Sequence, residues 1–307
     1  MTVTLSEPEI ARILKYEQLI PTMERALTAY SAGEVVQPVR TVLNIEDDQR
    51  YLGVMPAAMR DGMGAKLVAF FPRNAASERP THLATIVLFD SDSGSPLAFL
   101  DGRLITEMRT AAVSAAVTRH LAPANARVLA LVGSGVQAHA HLEALGHVCR
   151  FEEVRVWSRT AEHARRFAAR HGARAMELEA AVRGADVVVT ATMSRAALIK
   201  GEWLKPGAHV NAVGAVLPTT RELDDAAMTG STLIVDSREA ALRESGDVIH
   251  SQAPIFAEAG EVFAGTKRLS PEATTVFKSL GLAVEDIATA RLVYDAATAA
   301  AAHSVSG

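Results

Sequence analysis

The chain has 307 residues, of which 49% are hydrophobic and 21% charged, and a formal net charge of -4. That length suits about two domains with ample core, and the slight negative charge gives no reason to expect nucleic acid or an anionic membrane as partner. The single Cys149 excludes an intrachain disulfide and fits a reducing compartment. No cationic segment leads into an apolar run at the start, and no uninterrupted apolar run reaches about 18 residues. The expected location is therefore the cytoplasm.

In chain order, Ser6-Glu-Pro-Glu9 forms a capping-box pattern with proline in the first turn, which predicts a helix start. A second helix is expected over 22–32, ending at Gly33, a residue suited to the left-handed conformation past a helix end. Alternating residues then predict an antiparallel sheet with strands at 39–45, 51–55, 65–71, 83–90 and 97–100. Asp92-Ser-Gly-Ser95 makes the hairpin turn between the last two. Thr106 reads as the N-cap of a helix running to about His120.

After Pro123 the pattern changes to alternating strands and helices. Strands are expected at 128–132, 154–157, 186–191, 209–213 and 232–235, with helices at 136–147, 161–171, 178–183 and after Ser237. The fold class is α/β: a doubly wound, mostly parallel nucleotide-binding domain beside an α+β domain with an antiparallel sheet. The expected division is 1–120 for the antiparallel-sheet domain and 121–282 for the parallel one. A C-terminal helix, about 283–307, rejoins the first domain; the Ala299–Ala302 run reads as its fraying end.

The stretch 127–139 carries the most specific chemistry. An apolar strand ends in Gly133-Ser-Gly-Val-Gln-Ala138, a G-x-G-x-x-A turn that opens a helix. Gly133 permits the tight turn, Gly135 lets backbone amides approach a pyrophosphate, and Ala138 lets the helix pack on the strand. Ser134, Val136 and Gln137 complete the expected cofactor turn. Sites that choose NAD place an Asp or Glu at the end of the second strand, about 20 residues past the glycines, for the ribose 2′-hydroxyl. Here Val156-Trp-Ser-Arg-Thr160 has no carboxylate; Ser158, Arg159 and Thr160 offer a cation and hydroxyls that suit a 2′-phosphate. NADP(H) is favoured, with NAD(H) the other possibility.

The first domain places cations in unusual positions. Arg40 and Lys66 fall on predicted strands, and Arg109 in the expected first turn of the helix opened by Thr106, where free amides favour an anion. Two arginines could hold a carboxylate by bidentate hydrogen bonds, and Lys66 could serve as acid, base or polarising group. Taken singly, each reads more readily as a surface charge, and the sequence does not show that they converge. Three histidines, His139, His141 and His147, do not make a metal cluster: helix positions two apart diverge and eight apart lie two turns away. The acidic residues Glu222, Asp224 and Asp225 read as a helix start, and Ser134 and Ser194 lack the His/Asp context of a nucleophile.

A resemblance binds these segments together. Met55-Pro-Ala57, Gly64-Ala-Lys66, Ile105-Thr-Glu-Met-Arg-Thr-Ala-Ala112, Gly133-Ser-Gly-Val-Gln137, Asn211-Ala-Val-Gly214, Arg221-Glu-Leu-Asp224 and the run Val235–Asp247 resemble the ornithine cyclodeaminase/mu-crystallin family. The resemblance spans nearly the whole chain, in order. It implies a Rossmann domain, an antiparallel-sheet domain that also forms a homodimer, and binding of an amino- or imino-acid carboxylate by Arg40, Lys66 and Arg109 as the catalytic set. It extends the substrate site to Met55, His82, Thr110 and Val216, and the cofactor site to Thr192, Val213, Gly214 and Ser279; no metal is implied.

Two positions depart from the cyclodeaminases of that family. Their aspartate after the fourth Rossmann strand is replaced in Gly214-Ala-Val-Leu-Pro218 by Val216, and their glutamate two residues before Met-Pro is replaced by Gly53. The remainder looks closer to the ketimine reductases and pyrroline-2-carboxylate reductases. The expected activity is NAD(P)H-dependent reduction of small α-imino acids to L-amino acids. Ornithine cyclodeamination, alanine-type dehydrogenation and a non-enzymatic NADPH- or ligand-binding role are the alternatives.

Overall fold

In the computed structural model, residues 2–45, 50–77 and 79–305 are described. The chain divides into two compact units, Met1–Arg109 with Leu282–Gly307, and Thr110–Gly281. The first unit starts with β1 (Val3–Leu5), α1 (Glu7–Ile13) and α2 (Tyr16–Ser31). The Ser6/Glu9 capping box and Pro8 start α1 as expected. Helix α2 begins earlier than expected, at Tyr16, and carries Pro21 inside it. Tyr16, Leu19, Ile20, Met23 and Leu27 form one buried stripe, and each large apolar side chain so buried contributes about 1.5–3 kcal/mol. That packing outweighs the hydrogen bond lost at Pro21.

Strands β2 (Thr41–Ile45), β3 (Arg50–Met59), β4 (Gly62–Phe70), β5 (His82–Phe89) and β6 (Pro96–Asp101) form an antiparallel meander. β1, absent from the sequence reading, adds in parallel to β6, giving the order β1-β6-β5-β4-β3-β2. Alternation sets the two faces: Gly53, Met55, Lys66, Val68, His82 and Ile86 share one face through their cross-strand register, and Leu43, Leu67, Leu83 and Phe99 share the other.

Helix α3 (Arg103–Leu121) starts a turn before Thr106. Gly102 O accepts from Thr106 N at 2.9 Å, and Asp101 Oδ1 accepts from Arg103 N at 2.9 Å. Thr106 is therefore not the cap; its hydroxyl donates back to Gly102 O at 2.7 Å. Arg109 consequently lies in the second turn, and the expected help from free first-turn amides does not apply to it.

The second unit contains β7 (Val128–Val132), α4 (Val136–Gly146), β8 (Glu153–Trp157), α5 (Ala161–His171), β9 (Arg174–Ala175), α6 (Leu178–Val182), β10 (Val187–Thr190) and β11 (His209–Ala212). It continues with α7 (Asp225–Thr229), β12 (Thr232–Val235), α8 (Arg238–Glu244), α9 (Gly246–Ser251), β13 (Ile255–Glu258), α10 (Ala259–Phe263) and β14 (Thr275–Lys278). The sheet is parallel at every described pairing, in the order β13-β12-β14-β11-β10-β7-β8-β9. The C-terminal half of α3 makes polar pairs with this unit: Ser114 Oγ lies 2.9 Å from His141 Nε2 on α4, and Asn211 Nδ2 on β11 donates to Thr118 Oγ1 at 2.9 Å.

The C-terminal helix α11 (Ala283–Val305) belongs to the first unit and takes in the alanine run as helix. It lies against α2 and strands β3, β4 and β5. Glycines on β4 make that approach possible: a Cβ at Gly64 would sit 2.9 Å from Ile287 Cδ1, and one at Gly62 3.3 Å from Ile287 Cγ2. Lys66 follows on the same face, so the close approach that seats Ile287 also brings the first turn of α11 to Lys66.

Candidate active site

Lys66 is 2% exposed, and its Nζ lies 2.6 Å from Asp286 Oδ2. Arg109 reaches the same carboxylate, Nε to Oδ1 at 3.0 Å, and also pairs with Glu285. All four side chains are buried, and Met55 is the cross-strand neighbour of Lys66. Burial pushes the Lys66 ammonium down to about 8, with Asp286 resisting and Arg109 and Arg40 adding to the fall. Arg40, immediately before β2, thus acts on Lys66 electrostatically. His82 shares the Lys66 face; burial, then the charges of Lys66 and Arg109, push it down to about 4, so it is neutral near pH 7. Thr110, also buried, follows Arg109 on α3.

The buried cluster holds two cations, Lys66 and Arg109, against two carboxylates, Glu285 and Asp286, and the field of Arg40 reaches Lys66. Charges in such a place are costly unless matched. Glu285 and Asp286 were not among the expected site residues. Two acids in Leu282-Ala-Val-Glu-Asp-Ile287, an otherwise apolar helix start, were the available signal.

In the second unit the glycine turn has the geometry a dinucleotide requires. Gly133 has φ +119°, and a Cβ there would lie 2.6 Å from Ala191 O. Gly135 caps α4 with nothing within 4 Å of where its Cβ would be, so the backbone stands open to a ligand. Ala138 is 1% exposed under the helix, and Gln137 Oε1 is buried with no hydrogen-bond partner among the described residues. Val136 is exposed in the first turn.

Ser158, Arg159 and Thr160 follow β8, with Thr160 at the N-cap of α5 and both Arg159 and Thr160 exposed. A cavity of about 310 Å³ is lined by Ser134 from the glycine turn, His139 from α4, and His163, Arg166, Phe167 and Arg170 from α5. The histidines of α4 go separate ways: His139 Nδ1 lies 2.7 Å from His171 Nε2, and His141 is buried against Ser114.

The other expected cofactor residues gather at the carboxyl ends of the central strands, where doubly wound sheets bind ligands. Val213 N and Gly214 N both donate to Thr190 O, at 2.9 and 3.1 Å, and Ser279 N donates to Ala212 O at 3.0 Å. Thr192 N donates to Glu222 Oε1 at 2.6 Å. The acidic run starts a helix as expected at two of its three residues, Asp224 capping α7 by accepting from Ala227 N and Asp225 lying in its first turn, while Glu222 departs from that reading and is wholly buried. Val216 is partly buried and packs against the apolar core of this unit. At Gly53 a Cβ would lie 2.9 Å from Val68 Cγ1, so Val68 fills the space a longer side chain would need.

The model of the ornithine cyclodeaminase/mu-crystallin family matches residues 1–301. The ketimine reductase mu-crystallin of Mus musculus is 49% identical over 300 residues, 95% of this chain and 96% of that relative. The Thermococcus litoralis Delta(1)-pyrroline-2-carboxylate reductase, solved with NADH and L-proline, has a TM-score of 0.92 at 33% identity, covering 98% of both chains. An archaeal alanine dehydrogenase dimer with bound NAD has a TM-score of 0.92 at 32% identity, covering 97% of both. The buried Lys66 cluster, the glycine turn and the full-length match lead to one conclusion: the chain belongs to the ornithine cyclodeaminase/mu-crystallin family.

Proposed function

We propose that this protein is an NAD(P)H-dependent reductase of small α-imino acids, cyclic ketimines such as pyrroline- or piperideine-2-carboxylate, forming L-amino acids. The buried cluster of Lys66, Arg109, Asp286 and Glu285, with Arg40 acting on Lys66, carries this reading, because cations held in fixed orientation away from water suit a substrate carboxylate. Arg40 and Arg109 hold that carboxylate, with Asp286 and Glu285 fixing the Arg109 guanidinium in orientation. Lys66, held by Asp286, completes the carboxylate site and stabilises the electron pair that the imine nitrogen gains when hydride adds to the carbon, the proton then coming from solvent, a positioning and electrostatic role. Met55 and His82 complete the substrate site on the first unit, the neutral His82 adding no charge to it; Thr110 and Val216 are the substrate positions that the family resemblance assigns on the second.

The reduced nicotinamide supplies the hydride that adds to the imine carbon. Gly133, Ser134, Gly135, Val136 and Gln137 hold its diphosphate, and Thr192, Val213, Gly214 and Ser279 its nicotinamide end. NADPH is preferred over NADH: Ser158, Arg159 and Thr160 take the 2′-phosphate, and the arginine-lined cavity beside Ser134 adds positive potential. The mouse ketimine reductase and the archaeal pyrroline-2-carboxylate reductase support the reaction class.

Cyclodeamination is the second reading within the family. Valine at 216 can neither accept a proton nor hold a second amine, and Val68 occupies the space beside Gly53. We also propose a homodimer, supported by the exposed apolar face of Leu43, Leu67, Leu83 and Phe99 and by the dimeric alanine dehydrogenase. A cytoplasmic location is consistent with the single cysteine, and no helix among the described residues is long and apolar enough to cross a membrane. NADPH oxidation with Δ1-pyrroline-2-carboxylate tests the reaction; inert imines in the presence of bound NADPH would leave a binding role instead.

A further inference from the structure

Lys278 closes β14, a central strand, and is 0% exposed. Its Nζ donates to Gly214 O and lies 3.1 Å from Asp247 Oδ2. Asp247 Oδ1 in turn accepts from Glu222 N at 2.8 Å and Leu223 N at 3.0 Å. Glu222 is anchored to the end of β10 by Thr190 Oγ1 at 2.7 Å and Thr192 N at 2.6 Å. The segment 214–223 is therefore pinned at its first carbonyl, its last two amides and one buried carboxylate.

What the pins hold is an unfavourable backbone. Ala215 has φ +52° and is 0% exposed; among the described residues it and Gln252 are the non-glycine residues with a positive φ. A residue with a Cβ leaves the left-handed region when nothing restrains it. The neighbours tolerate no slack: a Cβ at Gly214 would sit 2.1 Å from Thr192 O and 2.5 Å from Glu222 Oε1, and one at Gly246 2.0 Å from Thr220 O. Buried ion pairs are a poor source of net stability compared with apolar packing, so stability alone does not account for a fully desolvated lysine aimed at a loop carbonyl.

We propose that Lys278, with Asp247 and Glu222, is a positioning device that locks Ala215 in its left-handed conformation and thereby sets Gly214 and Val216 for the nicotinamide and the imino acid. The placement of cofactor and substrate beside Gly214 and Val216 rests on the reductase reading above. Lys278 touches neither partner; it acts through the Gly214 carbonyl.

The test is a rescue experiment. In Lys278→Met, Ala215 is free to relax to negative φ. The amides of 214–223 then exchange with solvent at least tenfold faster, and kcat for the imine falls about 100-fold, the usual penalty of a displacement near 1 Å. Glycine has no bias against positive φ, so adding Ala215→Gly to Lys278→Met restores kcat at least tenfold and returns part of the amide protection. A merely structural ion pair would lose thermal stability on Lys278→Met without this rescue. Folded Lys278→Met with native exchange over 214–223, or a double variant with no recovery, overturns the proposal. If Lys278→Met does not fold, Lys278→Met/Asp247→Asn removes the unpaired charge and takes the same readouts. If the wild-type protein reduces no imine, the reductase reading fails, while hydrogen exchange still decides on the clamp.

Discussion

At the scale of single residues, the chemistry turns on an ammonium held where water is scarce. Burial keeps Lys66 near 8, below its ordinary 10.5, so it is mostly charged at neutral pH yet close to titration. If the imine requires the charged form, kcat/KM falls above pH about 8. Asp286 supports the charged form, so Asp286→Asn shifts that fall to lower pH; an unshifted pH-rate profile would separate Lys66 from the limb. Linkage gives a second consequence. The folded chain releases this proton first as pH rises, so the cost of burying the charge is full below about 8 and relieved towards 10.5. Asp286→Ala instead strands Lys66, while Arg109 keeps Glu285, and should cost about 3–5 kcal/mol, read from the denaturant midpoint at neutral pH.

At the scale of elements, what was legible in the sequence was what repeats or punctuates. The run 128–138 announced β7, its turn and α4, because an apolar strand leading into small residues admits few other structures; Gly172, with φ +67°, ended α5 at its expected residue. What escaped depended on distant partners. β14 has only Thr275-Val-Phe-Lys278 to show for a central strand, and its lysine argues locally against burial. The Gly214 carbonyl and Asp247, 64 and 31 residues away, make that burial possible. Likewise Glu285 and Asp286 acquire meaning only when Gly62 and Gly64 let α11 close on β4. Arg159, on the short turn after β8, yields the prediction at this scale. Arg159→Asp should invert the NADPH-over-NADH preference by more than tenfold in kcat/KM; a variant that kept its preference for NADPH would remove this turn from cofactor choice.

At the scale of the whole molecule, the first unit's sheet has two faces with two uses. One carries Met55, Lys66 and His82 beneath α11; the other leaves Leu67, Leu83 and Phe99 each more than 40% exposed on successive strands. A face of that kind is ordinarily covered by a partner. Leu67→Arg should therefore convert a dimer to a monomer in sedimentation velocity, and a wild-type protein sedimenting as a monomer would contradict the assignment. The reductase chemistry is tested by following NADPH oxidation with Δ1-pyrroline-2-carboxylate, with ornithine alone as a parallel arm. NADPH consumption and proline formation from the imine are expected, with ornithine inert. Proline and ammonia from ornithine without added reductant would contradict it, and would mean that another group does the work denied to Val216.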